Sequence, residues 1–227
     1  MRNSRMTVAA PVIAAILLAP IAARAQSASV EPSATAAGFD TAVYVAWFRG
    51  NRGGIGGDTF RDWYTTHLWS AGIGHYWTEH LKTEAEFGLT GRGNLVSFED
   101  LHGEPFVSRA VYRNHSYRIH TLSLAQTYQF RHNVWVHPFI GAGLDLDWER
   151  RTVDGSVQVI DSRGDQPIFS GEPLPPETHR RFTARAMAIA GFKAYVARNA
   201  FLRTDLRASV TDGLDQVAWR FGLGCDF

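Results

Sequence analysis

Large apolar side chains alternate with small or polar side chains at the C-terminal end of the chain. In residues 216–227 every second position is apolar, namely Val217, Trp219, Phe221, Leu223, Cys225 and Phe227. Because successive side chains of a β-strand point to opposite faces, this alternation predicts one strand with a single apolar face. The strand would be about twice as long as the roughly five or six residues usual in soluble proteins, and this length suits a tilted crossing of a membrane.

The same alternation recurs upstream and predicts further strands. It is clear in residues 81–91, 134–148, 182–196 and 200–210. Weaker versions lie in residues 41–49, which are apolar on both faces, in the glycine-rich residues 67–77, and in residues 118–130. With the C-terminal segment, the pattern predicts an all-β fold of eight antiparallel strands that run up and down in chain order.

The connections between these strands alternate in length. Tight turns are predicted at residues 78–80, 131–133 and 197–199. Long polar connections rich in glycine and proline are predicted at residues 50–66, 92–117 and 149–181, whereas residues 211–215 form a short fourth connection. Short turns at one end and long loops at the other are typical of an outer-membrane barrel, with periplasmic turns and extracellular loops.

A soluble β-sandwich or a lipocalin-like barrel would also have alternating strands, but its apolar faces would meet in a core. Here the face opposite the large apolar residues is charged and rich in glycine, as at Arg185, Gly191 and Lys193. Aromatic residues also cluster near both predicted ends of the strands, such as Trp135 at one end and Trp148 at the other. Two aromatic girdles favour a barrel in a bilayer over a soluble protein.

Residues 39–227 therefore resemble the small outer-membrane barrels of the OmpA/OmpX type. The resemblance rests on the architecture, an eight-stranded antiparallel up-and-down transmembrane β-barrel, and on the last strand, which ends in Phe227 with Trp219 and Phe221 in phase. In that family such a strand is the recognition signal for the barrel-assembly machinery. The resemblance implies this insertion role for Trp219, Phe221 and Phe227, and it identifies a class of protein without a particular member.

The N-terminal residues have the features of a secretory signal. Arg2 and Arg5 precede an apolar run at residues 8–23, and Ala23-Arg24-Ala25 matches the small-residue cleavage pattern. The run is shorter than the roughly 18–20 apolar residues that a membrane-spanning helix needs, so a cleaved signal is favoured over an anchor. We expect a cleaved signal peptide at residues 1–25, a short periplasmic segment at residues 26–38 and the barrel at residues 39–227.

The inward-facing positions of the predicted strands hold a set of charges of both signs. The predicted interior network consists of Lys82, Glu84, Glu86, Asp145, Asp147, Arg181, Arg185, Arg203, Asp205, Arg207 and Arg220. An eight-stranded barrel is only wide enough for side chains to fill it, and a buried charge without a partner is costly. We therefore expect these charges to pair across a filled interior, although a path for ions or small solutes would use the same residues.

Charge and residue types add little to this picture. The net charge of +1 gives no argument for binding nucleic acid, and a single cysteine permits no intrachain disulfide. The scattered histidines show no metal-ligand spacing, and the sequence indicates no cofactor. His115 with Ser116, and His120 with Ser123, are the candidate pairs for a base and a nucleophile. The second pair would point to opposite faces of a strand, so no catalytic residue is assigned.

The long loops are the remaining place for a specific function. Residues 150–180 contain a possible strand followed by a proline-rich stretch, which could form a hairpin beyond the membrane. Arginines in the loops could contact lipopolysaccharide phosphates or could form a solvated surface. The expected role is that of a monomeric envelope protein, or one that interacts through loops 93–116 and 150–180, with outer-membrane lipids as partners. A narrow channel and a lipid-modifying enzyme are the alternatives.

Overall fold

The computed structural model describes residues 38–52, 58–59, 63–101, 107–130, 135–161 and 168–227, and the predicted signal peptide lies outside these residues. The described part of the chain forms the following strands: β1 Phe39–Asn51, β2 Asp58–Thr59, β3 Trp63–Tyr76, β4 Leu81–Thr90, β5 Gly93–Leu101, β6 Val107–Gln129, β7 Val136–Asp161, β8 Ile168–Tyr195, β9 Ala200–Val210 and β10 Leu214–Asp226. No helix in the described residues is long and apolar enough to cross a membrane.

Eight of these strands close into a ring. The order is β1, β3, β4, β6, β7, β8, β9 and β10, with β10 pairing back to β1, and every pair is antiparallel. Closure brings the two ends of the barrel sequence together, because Phe39 N donates to Phe227 O at 3.1 Å and Phe227 N donates to Phe39 O at 3.0 Å. The predicted all-β, up-and-down, eight-stranded barrel is confirmed.

The tight turns at residues 77–80 and 196–199 lie together at one end of the ring, whereas the short connection between Val210 and Leu214 lies at the other end. Val196 N donates to Ala200 O at 3.0 Å, and Trp77 N donates to Leu81 O at 2.9 Å. The chain therefore reverses direction within a few residues at each of these two turns. The third predicted turn, at residues 131–133, lies outside the described residues. Both ends of the barrel sequence also lie here, since an even number of strands returns the chain to the side from which it started.

The outward face of the barrel is apolar and the inward face is polar. On β10, Trp219 and Phe221 are about half exposed, whereas Arg220 between them is fully buried. Leu144 on β7 and Leu206 on β9 likewise point outward. The apolar faces therefore do not meet in a common core, which is the arrangement that a membrane permits and a soluble sandwich does not.

The apolar band has the height of a bilayer core. On β7 its outward residues run from Val136 to Trp148, and both are exposed. At about 3.3 Å per residue and a tilt near 45°, this length gives a band roughly 28 Å tall. Aromatic residues mark both edges: Trp148 contacts Phe182 at one edge, with ring centroids 5.3 Å apart, and His80 stacks on Tyr128 at the other.

Three strands continue well beyond the ring at the end opposite the short turns. β6, β7 and β8 contain 23, 26 and 28 residues, far more than the predicted segments. Their outer halves pair with one another, and β5 pairs with the outer half of β6 from Gly93 to Leu101. We call the four-stranded sheet formed by residues 93–101, 107–117, 151–161 and 168–179 the outer sheet. Two predicted long loops are thus largely strand, and the suggested hairpin at residues 150–180 is present.

Candidate functional site

The centre of the barrel lumen is occupied by Arg220, which is completely buried. Its Nη1 lies 2.6 Å from Glu86 Oε1, and its Nε lies 2.6 Å from Asp205 Oδ1. A second bond from Nη2 to Asp205 Oδ2, at 2.9 Å, makes the contact with Asp205 bidentate. Two carboxylates thus hold one guanidinium, which offsets part of the cost of removing these charges from water.

Two further arginines extend this network around the lumen. Arg203 Nη1 lies 2.5 Å from Glu84 Oε1, and its Nε lies 3.0 Å from Asp205 Oδ2. Arg207 Nη2 lies 3.1 Å from Glu86 Oε2, and its Nη1 lies 2.8 Å from Ser123 Oγ. Acidic groups of β4 therefore face basic groups of β9 and β10 across the interior, so that the side chains bridge opposite walls.

The end of the lumen near the short turns is closed by a second group of charges. Asp40 accepts from Lys82 Nζ at 2.7 Å and lies 3.3 Å from Lys193 Nζ. Lys193 Nζ also lies 2.5 Å from Asp226 Oδ1, and Tyr76 donates to Asp40 Oδ2 at 3.0 Å. Asp40 was not among the predicted network residues because it precedes the predicted strand by one position. Asp40 is two residues before Ala42 and so lies on the same face of the strand, which would have placed its side chain inside the barrel.

Toward the outer sheet the lumen is closed by hydrogen-bonded carboxylates. Asp145 accepts from Ser123 and Ser209 at 2.5 Å each. Asp147 accepts from Thr121 at 2.6 Å and pairs with Arg185. Of the described residues, no group of His, Cys, Asp and Glu side chains is arranged to hold a metal ion.

An aromatic plug caps the lumen above these carboxylates. The rings of Tyr64 and Tyr117 are stacked with centroids 4.8 Å apart, and both side chains are buried. Arg52 lies against both rings and pairs with Glu149. A small cavity next to Asp145 has room for roughly one water molecule.

Most residues of the predicted network line the lumen. The following lie buried in the lumen: Lys82, Glu84, Glu86, Asp145, Asp147, Arg185, Arg203, Asp205, Arg207 and Arg220. Arg181 departs from the prediction, because it is exposed. It pairs in register with Glu149, whereas β8 pairs with β9 only from Ala186 onward, so Arg181 lies beyond the closed wall. Trp219, Phe221 and Phe227 all point outward.

The structure separates the two members of both candidate histidine–serine pairs. Ser116 is on the outward face of β6 and donates to Asn94 Oδ1 at 2.9 Å, whereas His115 is buried on the inward face. His120 is exposed on the outward face, but Ser123 points into the lumen. Neither pair can act as a base and a nucleophile.

His115 instead contacts a serine that the sequence did not indicate. Ser97 Oγ lies 2.8 Å from His115 Nε2, and both residues are buried in the outer sheet. Burial, together with the positive charges of Arg151 and Arg113, lowers the pKa of His115 to about 4. Nδ1 of His115 has no hydrogen-bond partner among the described residues, so no acid orients the ring as in a catalytic triad. The pair is buried, and its contact satisfies the Ser97 hydroxyl.

Comparisons with known proteins agree with this geometry. The family model described as "Outer membrane protein beta-barrel domain" matches residues 12–227. Among solved structures, Neisserial surface protein A is similar at 13% identity and a TM-score of 0.50, with 84% of this chain and 97% of that chain covered. Ail of Yersinia pestis is 10% identical with a TM-score of 0.47, covering 85% of this chain and 100% of its own.

OprG from Pseudomonas aeruginosa is 9% identical with a TM-score of 0.48, and the match covers 86% of this chain and 98% of that chain. At 13% identity, the similarity to Neisserial surface protein A shows a common fold and nothing about ligands. Among curated protein sequences no match is found. Because the family model covers nearly the whole chain, the protein belongs to the outer-membrane β-barrel domain family of the bacterial outer membrane.

Proposed function

We propose that the protein is a closed barrel that anchors the outer sheet at the cell surface, where the sheet serves for interaction. One observation carries this proposal: β6, β7 and β8 pass from the barrel wall into the outer sheet without interruption. A loop that only joined two strands would need a few residues, whereas this sheet adds a continuous, hydrogen-bonded surface.

The packing of the lumen supports a structural role for the barrel itself. Arg220 contacts Glu86 on the opposite wall, and Tyr64 with Tyr117 caps the interior. Ions would have to displace these buried pairs to pass. The interior charges therefore act as cross-links between strands, and the barrel is a rigid, non-conducting support.

The edge of the outer sheet is built to remain unpaired. Before Ala186, β8 pairs only with β7 among the described strands, so no described strand covers its other edge. Pro173, Pro175 and Pro176 occupy this stretch. Proline has no N–H to donate to a further strand, and prolines on an edge discourage sheet-to-sheet association. The outer sheet therefore offers its faces for interaction, rather than its edge.

The route to the membrane is part of the same proposal. Residues 1–25 are removed as a signal peptide after export, and the assembly machinery recognises the last strand through Trp219, Phe221 and Phe227. The outward position of these three side chains supports the second step, because a docking partner could reach them from the side of the barrel.

Cysteine labelling on living cells tests the orientation. The native Cys225 is replaced by serine, and single cysteines are introduced as Gln158→Cys in the outer sheet and Arg198→Cys in a short turn, both exposed positions. A maleimide that cannot cross membranes should label Q158C on intact cells and R198C only after the outer membrane is opened. The reverse pattern would place the outer sheet in the periplasm and refute the proposal.

A further inference from the structure

Three arginines form a row on the outward face of the barrel, one on each of three neighbouring strands. Arg118 of β6 pairs in register with Arg150 of β7, and Arg150 pairs in register with Arg180 of β8. All three side chains are exposed. With strands about 4.8 Å apart, the three positions span roughly 10 Å.

The row concentrates positive charge on the outward face of the barrel. Among the described residues, none of the three arginines has a carboxylate within ion-pair distance. Like charges directly opposite each other on adjacent strands destabilise a sheet. Because the three like charges lie side by side in register, an anion from outside the chain would relieve their mutual repulsion.

The height of the row on the barrel identifies the kind of anion. Two residues closer to the barrel centre on the same face, Trp148 and Phe182 form the outer aromatic girdle. Such girdles mark the interface between hydrocarbon and headgroups. Arg150 and Arg180 therefore lie at the level of the headgroups, just beyond the apolar band.

The surface beyond the row is suited to polar headgroups. The next outward-facing positions are Ser116, Thr152 and Thr178, which are again paired in register across the three strands. The first carboxylate further along this face of β7 is Asp154, four residues from Arg150. A phosphorylated sugar or glycerol headgroup would thus meet guanidinium groups first and hydroxyl groups next, without acidic repulsion.

We propose that Arg118, Arg150 and Arg180 bind phosphate groups on the headgroup of an outer-leaflet lipid. The guanidinium group donates parallel hydrogen bonds to phosphate oxygens, and three such groups in one row fit a headgroup that carries more than one phosphate. The inference rests on the proposed orientation, with the outer sheet outside the cell. Bound lipid would hold the barrel at a fixed height and cover the base of the outer sheet.

Native mass spectrometry of the full chain tests this proposal. The protein is placed in phosphatidylcholine nanodiscs that contain equal amounts of lipid A with its phosphates and lipid A from which they have been removed. We expect the phosphorylated lipid to be retained about tenfold or more over the other form. The triple variant R118Q/R150Q/R180Q should lose this preference, and R118K/R150K/R180K should keep part of it, because charge remains but the bidentate geometry is lost.

The matched control is R113Q/R151Q/R181Q, which removes the same charge from the inward positions of the same three strands. It should leave the lipid preference unchanged. An equal loss in both triple variants, or a preference that survives R118Q/R150Q/R180Q in folded protein, would overturn the proposal. If the triple variant does not fold, R150Q against R151Q gives the same comparison.

Two soluble probes separate a lipid site from a general anion site. Inorganic phosphate and a soluble sulfated polysaccharide are added separately to nanodiscs that contain the wild-type protein. Each is added in an amount that carries the same total negative charge as the lipid A. Retention of the lipid supports the proposal, and displacement by either probe contradicts it. Nanodiscs present both leaflets to the barrel, so failure here would leave the cysteine-labelling result, and with it the displayed outer sheet, intact.

Discussion

Arg220 and Glu86 are separated by 134 residues in the chain, yet Arg220 Nη1 lies 2.6 Å from Glu86 Oε1 across the barrel lumen. Two strands of the wall, β1 and β3, lie between the strands that carry them. The contact is therefore made through the interior, not along a sheet. Closure of the ring is therefore what brings this pair together inside the lumen.

Removing one partner of this contact should destabilise the barrel strongly. Arg220→Met leaves Glu86 and Asp205 buried without their shared cation, and the expected loss is about 3–5 kcal/mol. Urea unfolding of protein refolded in vesicles measures it. The exposed Arg198→Met is the matched control and should change the free energy of unfolding by less than about 0.5 kcal/mol. In the double variant E86Q/R220M the two losses should not add, whereas additive losses would show that the pair does not interact.

Gly143 should not tolerate a side chain. It faces the barrel interior beside β6, and an added Cβ would lie 2.1 Å from Leu124 O and 2.7 Å from Ala125 Cα. Gly143→Ala therefore forces the β6–β7 pairing apart, at a cost of about 1–3 kcal/mol or more. Gly213 has open space at the same position, so Gly213→Ala should leave unfolding almost unchanged. Equal effects of the two substitutions would contradict this packing.

A charged side chain introduced on the outward face should lower the free energy of unfolding only where the position lies within the apolar band. Leu144 is half exposed near the middle of the band on β7, and Leu144→Arg should destabilise the folded barrel by about 2–4 kcal/mol in a bilayer. Val96 is similarly exposed but lies on the outer sheet. Val96→Arg should cost little because its surroundings are aqueous. Comparable losses at both positions would place the membrane boundary elsewhere.

His115 should stay neutral well below the usual histidine range. Its pKa in the folded protein is about 4, against 6.5 for an unburied histidine. Because the folded form binds the proton less readily, the outer sheet keeps its full stability above about pH 6.5. It loses stability as the pH falls from there toward 4. Ring chemical shifts of labelled histidine should show a midpoint near pH 4, and a midpoint near 6.5 would show that the ring is not buried in the outer sheet.

Alternation along the chain was enough to predict the barrel wall and most of its interior. Residues such as Arg203, Asp205 and Arg207 follow one another at every second position, so their shared face could be read directly. Their partners could not be predicted, because Glu84 and Glu86 lie on a strand that does not neighbour β9. Only closure of the ring brings these groups together, and the register that achieves it is a property of all eight strands.

The outer sheet was harder to predict because its strands lack one consistently apolar face. Residues 168–181 contain prolines and charges that read as a loop, and they become a strand only because β7 provides a paired edge. The contact between Ser97 and His115 depends in a similar way on the pairing of β5 with the outer half of β6. Arg181 was placed wrongly for a related reason. It lies on the same face of β8 as the buried Arg185, but at a level beyond the closed wall of the barrel.

Conductance in a planar bilayer tests the central claim, a barrel closed by its own side chains. The full protein is refolded, its β-structure is verified by circular dichroism, and single channels are recorded at increasing voltage. The account predicts no steady openings, because the contacts of Arg220, Arg203 and Arg207 bridge the lumen and the Tyr64–Tyr117 stack caps it. Steady, reproducible openings from folded protein would contradict it and make the interior charges the lining of a path.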